Sequence, residues 1–395
     1  MSKMYWPLMK DCITDEDKKA MSDFVLTAGR FTNGPKVKQF EEEWSKWLGV
    51  KRSLFVSSGS TANFLLVAAI KELYGLKDGD KVLVPAVTWV TNVAPVIQLG
   101  LKPVFCDVDK NTFSFDKNYM KQLSVIHSDI KAVFVSHLFG VPAEIEEYKK
   151  ILPDAVFIED VCESHGAKCK TGMAGTLSEG STFSFYFGHH ITTVEGGMVS
   201  TNNEELYQLM RAKRSHGMAR ECDPSYFKKY VDEYPDVHPM FMFITDGYNF
   251  RNSEIYGVLG TEQLKRLTDQ NIKREENYEK FRNIIGKYPD LIKHDLASEG
   301  TSSFCLQFIC STPEKRNILE QELQKRGIET RPLCSGNLLR QPFLRDKYDR
   351  PDNFPNAEYL HTHGFFIGNN HLITDEDFEK FEKDLEQSVS EVYQW

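Results

Sequence analysis

The segment IEDVCESHG (158–166) places two carboxylates, Glu159 and Asp160, at the end of a short apolar run, and Glu163 follows three residues later. If that run is a strand of an open α/β sheet, Asp160 lies at the carboxyl end of the strand, where such sheets bind ligands. A carboxylate in this place can keep a pyridine nitrogen protonated, which makes the ring an acceptor of electrons. From this segment alone, an Asp that only caps a helix remains an equal alternative.

A second segment, Ser58-Gly59-Ser60-Thr61, follows the apolar run SLFV and begins the helix-like stretch TANFLLVAAIKELYG. The N–H groups at the start of a helix bind phosphate, and a glycine there lets the anion approach the backbone. Serine is also a preferred N-cap residue. Taken alone, the segment is therefore explained better by an ordinary turn between a strand and a helix.

A third segment, STFSFYFGHHITTVEGGMV (181–199), resembles the cofactor-lysine region of the DegT-like sugar aminotransferase family. Counting back six residues from Glu195 places the family's cofactor lysine on His189. A transaminase needs an amine that bonds covalently to its cofactor, whereas an imidazole can only carry protons. Ordinary amino transfer is therefore disfavoured. Within the family, a histidine in place of the lysine, followed by His190, resembles the sugar 3-dehydratases. The segment TRPLCSGNLLRQP (330–342) is also similar to a signature of these dehydratases.

The resemblance covers nearly the whole chain and implies a role for further residues. It matches Gly59 and Ser60 to the backbone clamp on a phosphate, Ser184 to the serine that binds the same phosphate, and Trp89 to the aromatic ring that stacks on a pyridine ring. Asp160 matches the partner of the pyridine nitrogen. Glu163 takes the position near the ring hydroxyl where many relatives have Gln. A core tryptophan at 89 and a solvated glutamate at 163 are the alternatives.

Two further residues are implied with less support from the motif itself. Asn249, in GYNFR, which is similar to the family's GYNYR, would reach the phosphate of a neighbouring subunit, and this implies a homodimer with shared active sites. His216, in RSHG, matches a histidine near the active site of GDP-sugar dehydratases. An Asn that forms a turn and a loop histidine without a catalytic task are the alternatives. For His190, packing is favoured over support of His189.

The resemblance also implies the reaction and its partners. The cofactors would be pyridoxal 5'-phosphate and pyridoxamine 5'-phosphate, the amine donor L-glutamate, and the substrate a GDP-linked 4-keto-6-deoxy sugar, most closely GDP-4-keto-6-deoxymannose, that loses its hydroxyl at carbon three. His189, with an ordinary pKa near 6.5, would move the protons. A CDP-4-keto-6-deoxyglucose 3-dehydratase-like enzyme and a catalytically idle relative that binds a sugar nucleotide are the alternatives.

Cysteine spacing separates the two kinds of dehydratase. The CDP-sugar type has an iron–sulfur cluster and resembles the pattern C-x57-C-x-C-x7-C. Cys162 and Cys222 fit two of its places, but Arg220 and Tyr230 occupy the other two, and a cluster normally requires four thiolates. We therefore expect no iron–sulfur cluster. The pair in His361-Thr362-His363 lacks an arguable partner, so we expect no metal site there either.

The elements that must position these residues are predicted from hydrophobic patterning. Seven apolar runs lie at 53–58, 81–89, 103–109, 132–140, 155–161, 181–187 and 197–201. Runs that are apolar throughout are typical of parallel strands covered on both faces. The fold class expected from these runs and from the resemblance is α/β, aspartate aminotransferase-like (fold type I of the PLP enzymes). A large domain (1–250) would have a mainly parallel seven-stranded sheet, and a smaller C-terminal α+β domain would span 251–395.

Three local elements are also predicted. The Pro-punctuated stretch 220–239 is expected to be a long loop, and the stretch 253–288 one long helix. Near the end of the chain, Thr374 and Asp377 resemble a capping box ahead of a helix that has Phe378, Phe381, Leu385 and Val392 on one face.

Composition bounds the partners and the compartment. The 395-residue chain has 48 basic and 57 acidic residues, a formal charge of −9, and 41% hydrophobic residues. An acidic chain without a block of like charge does not resemble a protein that binds nucleic acid or anionic membranes. Its apolar stretches are too short to span a bilayer. Eight cysteines without a CxxC pair favour a reducing compartment, and we expect the protein in the cytoplasm.

Overall fold

A seven-stranded sheet forms the centre of the larger part of the molecule. The structure, a computed structural model, describes residues 4–394. The strands of this sheet are β1 (Arg52–Val56), β2 (Lys81–Pro85), β3 (Lys102–Cys106), β4 (Ile130–Ser136), β5 (Val156–Asp160), β6 (Gly180–Ser184) and β7 (Gly197–Thr201). Their spatial order is β1-β7-β6-β5-β4-β2-β3. Each apolar run that predicts a strand overlaps one of them, so this part of the prediction is confirmed.

The register of the sheet brings the ends of three strands together. β5 is parallel to both of its neighbours, β4 and β6, and only β7 runs antiparallel to the strands beside it. Ser136 of β4 and Thr182 of β6 lie opposite Asp160 of β5. Asp160 therefore lies at the carboxyl edge of the sheet, as predicted, flanked by polar side chains from both adjacent strands.

Helices surround the sheet. Within the described residues they are α1 (Asp15–Thr27), α2 (Pro35–Leu48), α3 (Gly59–Leu73), α4 (Ala94–Gln98), α5 (Lys117–Ile126), α6 (Ile145–Ile151), α7 (Glu204–Arg214), α8 (Pro224–Glu233), α9 (Glu254–Leu264), α10 (Leu267–Ile285), α11 (Pro313–Lys325), α12 (Pro355–His363) and α13 (Asp375–Gln394). Single 3₁₀ turns span Val90–Asn92, Ala219–Glu221, Pro239–Phe241, Leu338–Arg340 and Pro351–Asn353.

Alternation along β1 shows how the two faces of the sheet are buried. Leu54 belongs to the hydrophobic cluster that includes Leu66 of α3. The next residue, Phe55, belongs to the opposite cluster, where it packs edge-on against Phe40 of α2 at a ring distance of 5.0 Å. Successive side chains of a strand point to opposite faces. Both faces are apolar because helices cover both, which explains why the strands read as continuous apolar runs.

A second, smaller sheet holds the C-terminal part together. Its strands β8 (Cys305–Ile309), β9 (Thr330–Pro332) and β10 (Gly364–Gly368) are antiparallel, in the order β8-β10-β9. Trp6, near the start of the chain, joins the core of this part and donates from Nε1 to the Gly368 carbonyl at 2.9 Å. Helix α9 packs instead against α1 and α2 of the larger part. The domain boundary at residue 250 stays a prediction.

Two local predictions are wrong. The stretch 220–239 is not a continuous loop, because α8 occupies its centre; Pro224 stands at the first helical position, where its fixed φ favours helix formation. The stretch 253–288 is not one helix, because α9 ends at Leu264 and α10 begins at Leu267. At the break, the Arg266 N–H donates to the Gln263 carbonyl, and the Arg266 guanidinium donates to the Glu262 carbonyl at 3.3 Å.

The C-terminal helix agrees with its prediction. The Asp377 N–H donates to Thr374 Oγ1 and the Thr374 N–H to Asp377 Oδ2, both at 3.1 Å, which completes the capping box. The four apolar residues predicted to share a face of α13 are all buried. Over residues 4–394, none of the helices combines the length and the apolar composition that crossing a membrane requires.

Candidate functional site

A cavity of about 670 Å³ opens at the carboxyl ends of β4, β5 and β6 and reaches the small sheet. Seven of the residues predicted from the sequence line it: Gly59, Ser60, Trp89, Asp160, Glu163, Ser184 and His189. They come from segments that are far apart in the chain, and the sheet register brings them together. His216 and Asn249 do not line this cavity.

One end of the cavity is built for an anion. Ser58 is the N-cap of α3: its Oγ accepts from the Thr61 N–H at 3.1 Å, while Thr61 Oγ1 accepts from the Ser58 N–H at 2.9 Å. The cap expected from the sequence is therefore present. The first N–H groups of a helix have no partner within it, and those of this helix belong to Gly59 and Ser60 in the cavity wall.

Glycine at position 59 is required by close packing. A Cβ added there would lie 2.6 Å from Cβ of Ser184 and 3.2 Å from Sγ of Cys162. Ser184, at the end of β6, is buried and lines the cavity beside the start of α3. The helix start and a hydroxyl thus converge on one place, and both predicted parts of the cradle lie together.

Asp160 is held in one orientation by three donors. Its Oδ2 accepts from Asn63 Nδ2 at 2.8 Å and from Asn92 Nδ2 at 2.9 Å, and its Oδ1 accepts from the Cys162 N–H at 2.9 Å. The two amides are fixed in turn, because Asn63 Oδ1 accepts from Thr182 and Asn92 Oδ1 accepts from Thr88. A carboxylate fixed in this way can hold a cationic ring N–H without moving.

Glu163 has a different environment from Asp160. Its Oε2 accepts from the Phe139 N–H at 3.0 Å, and the side chain faces the cavity. Burial raises the pKa of Glu163 to about 7; the hydrogen bond from Phe139 opposes this rise, and the nearby Asp160 carboxylate adds to it. Glu163 is therefore not the solvated glutamate of the alternative interpretation, and near neutral pH it can donate or accept a proton.

His189 faces the cavity from the loop after β6. Its ring packs against Phe304 at 5.3 Å and stacks with His165 at 6.3 Å and an interplanar angle of 19°. Burial lowers the pKa of His189 to about 4, a hydrogen bond to the Cys162 backbone opposes this, and the Arg274 cation lowers it further. The imidazole is thus uncharged over the whole neutral range and can accept a proton.

His190 points away from the cavity. It is fully buried, and its Nε2 lies 2.9 Å from the Ser302 carbonyl. Its ring packs on His165 at 5.0 Å and on Phe304 at 6.3 Å. These contacts agree with the packing interpretation of this residue.

Trp89 lies at the mouth of the cavity rather than in the core. It is 54% exposed, which excludes the alternative of a core tryptophan. Tyr186, 46% exposed, lines the same cavity. An aromatic ring that is half exposed at the edge of a cavity is available to stack on a planar ligand.

His216 and Asn249 form a polar cluster outside this cavity. Both side chains are exposed, and Arg251 bridges them: its Nε donates to Asn249 Oδ1 at 3.0 Å, and its Nη2 lies 3.4 Å from His216 Nε2. The backbone of this segment is joined to the phosphate end, because the Ser57 N–H donates to the Phe250 carbonyl. Within one chain, neither residue contributes to the cavity.

Several residues of the site were missed by the sequence interpretation. Asn63 and Asn92 orient Asp160, and Arg331 and Phe304 bring the small sheet to the cavity. Arg331 lies in the segment 330–342, whose resemblance indicates the family but assigns Arg331 no role. The two asparagines lie in the segments that carry Gly59 and Trp89, where an amide side chain within an apolar segment indicates a buried hydrogen bond.

The remaining cysteines and histidines lie in separate surroundings. Cys162 is in the cavity wall, whereas Cys222 is buried with its Sγ 3.6 Å from the Gln208 carbonyl. His363 Nδ1 lies 3.0 Å from the Tyr359 carbonyl of its own helix. No group of three or more potential metal ligands occurs in the part of the chain that the structure describes.

Comparison with known proteins identifies the family. Residues 11–385 match the DegT/DnrJ/EryC1/StrS aminotransferase family. The chain belongs to this family. It is 36% identical over 368 residues to GDP-4-keto-6-deoxy-D-mannose 3-dehydratase from Yersinia pseudotuberculosis, covering 91% of this chain and 92% of that protein. It is also 36% identical over 377 residues to the protein of the same name from Escherichia coli O55:H7, covering 93% and 96%.

The fold is that of the same family. A solved structure of a GDP-4-keto-6-deoxymannose-3-dehydratase variant with bound GDP-perosamine superimposes with a TM-score of 0.88 at 34% identity, covering 96% of this chain and all of that chain. The predicted aminotransferase-like fold class is confirmed. Among residues 4–394, the wall of the cavity contains His189 and no lysine.

The environment of Glu163 generates the first prediction. In the protein free of ligands, infrared difference spectra across the neutral pH range, from about 5.5 to about 8.5, should show one carboxyl that loses its proton near pH 7. The reason is that burial disfavours the charged form. Glu163→Gln should remove this signal.

The matched control is Glu195→Gln, since Glu195 lines the same cavity but is exposed. That variant should keep the signal. A signal that persists in Glu163→Gln would show that another carboxyl is responsible.

Proposed function

We propose that this chain is a dehydratase dependent on pyridoxal phosphate, which removes the hydroxyl at carbon three of a GDP-linked 4-keto-6-deoxy sugar. L-glutamate provides the amine and the reducing electrons, and the products are a 4-keto-3,6-dideoxy sugar, 2-oxoglutarate and ammonia. One observation carries the proposal: an uncharged imidazole, His189, occupies the place of the cofactor lysine in a cavity whose described wall has no lysine.

The cavity fits pyridoxal or pyridoxamine phosphate without a covalent bond. Gly59, Ser60 and Ser184 would hold the phosphate, and the close packing at Gly59 supports this assignment. Asp160 would pair with the pyridine nitrogen, and Trp89 would stack on the ring. When bound, the cofactor supplies an amine that reacts with the keto carbon of the sugar and a ring that accepts electrons.

His189 would perform the proton transfers. A neutral imidazole accepts a proton at Nε2, and a residue that cannot bond covalently to the cofactor does not compete with the sugar for it. Because three donors fix Asp160, it would keep the bound ring electron-poor while His189 acts. Glu163, with a pKa of about 7, would share a proton with the ring hydroxyl.

The nucleotide is assigned from the relatives. The two proteins that are 36% identical to this chain are both described as acting on a GDP-linked sugar. Arg220 and Tyr230 stand at two of the four places that the cluster-bearing, CDP-sugar type fills with cysteine. Both observations favour the GDP-linked substrate. The eight unpaired cysteines support a reducing compartment, and we propose the cytoplasm.

A homodimer with shared active sites is part of the proposal. Large apolar side chains are exposed on the segment after α8, with Met240, Phe241 and Phe243 between 52% and 65% exposed. Contiguous exposed apolar surface is typical of protein interfaces. Asn249 follows this segment closely in sequence, and His216 lies beside it because the Ile244 N–H donates to the Gly217 carbonyl; both are exposed and outside the cavity of their own chain. If a second copy of the chain covers this surface, Asn249 and His216 of one copy would lie at the cavity of the other.

The substrate assignment predicts a ranking among sugar nucleotides. Purified protein with pyridoxal phosphate and glutamate should release ammonia and 2-oxoglutarate in equal amounts from GDP-4-keto-6-deoxymannose. Release from the CDP- and dTDP-linked 4-keto-6-deoxyglucose analogues should be at least about tenfold slower. Stoichiometric 2-oxoglutarate without ammonia would instead indicate amino transfer, and release of neither product would indicate a catalytically idle protein.

The role of His189 predicts the effect of restoring the lysine. His189→Lys should bond the cofactor covalently, so that borohydride reduction adds the mass of the cofactor to the peptide containing residue 189, and dehydration should fall by at least about a thousandfold. His294→Lys makes the same change at an exposed histidine and should leave activity intact. Dehydration that survives in His189→Lys would refute the proton-transfer role.

Shared sites predict complementation between two inactive variants. If Asn249 serves the partner's site, a hybrid dimer of a His189→Asn chain and an Asn249→Asp chain has one doubly damaged site and one intact site. Mixing the two variants under conditions of subunit exchange should then restore roughly half of the activity in each hybrid dimer.

If Asn249 serves the site of its own chain, both sites of the hybrid are damaged and no activity returns. Phe241→Asp, which charges the apolar surface, is the control for assembly and should shift the protein to a monomer in light-scattering measurements.

A further inference from the structure

A buried cation without an acidic partner lies behind His189. Arg274, on α10, is 3% exposed. Its guanidinium bonds only to backbone carbonyls: Nη1 donates to Asn369 and, at 3.5 Å, to Phe304, and Nη2 donates to His189 at 3.5 Å. Within residues 4–394, no carboxylate forms an ion pair with it. Burying an unpaired charge costs several kcal/mol in general, so its presence calls for an explanation.

Two of the three carbonyls that Arg274 contacts lead to His189. One carbonyl belongs to His189 itself, and another belongs to Phe304, on which the His189 ring packs at 5.3 Å. The third belongs to Asn369, whose Nδ2 donates back to the Arg274 carbonyl at 3.0 Å. Arg274 therefore ties the loop of the proposed base to the small sheet, and it does so with a planar group whose several N–H donors have fixed directions.

The titratable groups beside Arg274 are imidazoles, His371 among them, and the thiols of Cys12 and Cys305. His165 packs on both His189 and His190, and neither of its ring nitrogens has a hydrogen-bond partner. A second positive charge on any of the three rings would lie next to a permanent cation. Arginine is suited to this task because its guanidinium stays charged even when buried, which a lysine amine does not.

Charges on the other side of His189 act in the opposite direction. The cavity wall carries the carboxyls of Asp160, Glu163 and Glu195 and, further along, the Arg331 guanidinium. The thiols of Cys162 and Cys305 and the phenol of Tyr186 also face it, and His137 is paired with Glu159 at 3.0 Å. A carboxylate favours a charged imidazole and a cation disfavours it, and Arg274 is the cation on the protein side of the ring.

We propose that Arg274 is a positioning residue, which fixes the backbone of His189 and adds to burial in keeping its imidazole uncharged by placing a permanent cation behind it. The catalytic consequence rests on the proposed function. The effect of Arg274 on the charge of His189 does not rest on the proposed function, because it is a property of the protein without cofactor or substrate.

The test measures the protonation of His189 directly. Diethylpyrocarbonate acylates only uncharged imidazoles, and tandem mass spectrometry resolves His189 from its buried neighbour His190. The full-length protein, dialysed free of cofactor, is compared as the native chain, Arg274→Met and Arg274→Gln. Glutamine keeps donors for the carbonyls but has no charge. Both variants should move the pH midpoint of His189 acylation upward by about one unit, since a repelling charge is lost.

Two further measurements make the result specific. Arg282→Met, on the same helix, removes a surface arginine that bonds to Glu279, and it should leave the midpoint unchanged. In the holoenzyme, the acidic limb of the kcat/KM profile should move by the same amount in Arg274→Gln. A role limited to backbone support predicts that Arg274→Gln keeps the native midpoint, and that result would overturn the proposal.

Failure of the proposed function gives a different pattern. If the native protein releases no ammonia from any GDP-linked keto sugar while the acylation midpoint still moves in both variants, the proposed reaction is wrong and the effect of Arg274 on His189 stands. If Arg274→Met does not fold, Arg274→Gln still decides the question, because it keeps an amide donor toward these carbonyls and lacks the charge.

Discussion

The absence of a covalent bond between protein and cofactor is the constraint from which the rest of the site follows. An imidazole at position 189 cannot anchor pyridoxal phosphate, so every contact that retains and orients the cofactor has to be noncovalent. The N-terminus of α3, the packing of Gly59 against Ser184 and the fixed carboxylate of Asp160 would meet this need within one cavity. Each of these groups is rigid because a second residue holds it, and rigidity is what noncovalent positioning requires.

Asp160, Glu163 and His189 face one cavity from different surroundings. Asp160 accepts from two side-chain amides and a backbone N–H. Glu163 accepts one backbone hydrogen bond and is otherwise desolvated, which raises its pKa to about 7. His189 is desolvated and lies in front of a cation, and both lower its pKa. Environments that separate the pKa values of neighbouring groups are typical of acid–base sites.

The sequence was sufficient for the residues that stand in contiguous segments and insufficient for those that act across the fold. Asp160 and the helix start at Gly59 stand in short segments whose residue types suggest binding, and His189 was found through the resemblance of its segment to a known family. Asn63 and Asn92 were missed although they hold Asp160, since they lie 97 and 68 residues from it. The helix over 224–233, which buries none of its residues, was missed although Pro224 favours a helix start, and the break near Arg266 was missed because hydrogen bonds of Arg266 mark it, not periodicity.

The contact between the two parts of the chain explains why a small C-terminal sheet belongs to the site at all. Phe304 and Arg331 reach the cavity from the starts of β8 and β9, and Arg274 joins the Phe304 and Asn369 carbonyls to that of His189. Any shift of the small sheet must therefore move the ring of His189 or break these hydrogen bonds. His189, the proposed proton-transfer group, is thus held where the small sheet meets the larger part, whereas Gly59, Ser184 and Asp160, the proposed cofactor contacts, are positioned by the large sheet and α3. Binding and catalysis consequently depend on different parts of the fold, and changes at their junction should affect the second more than the first.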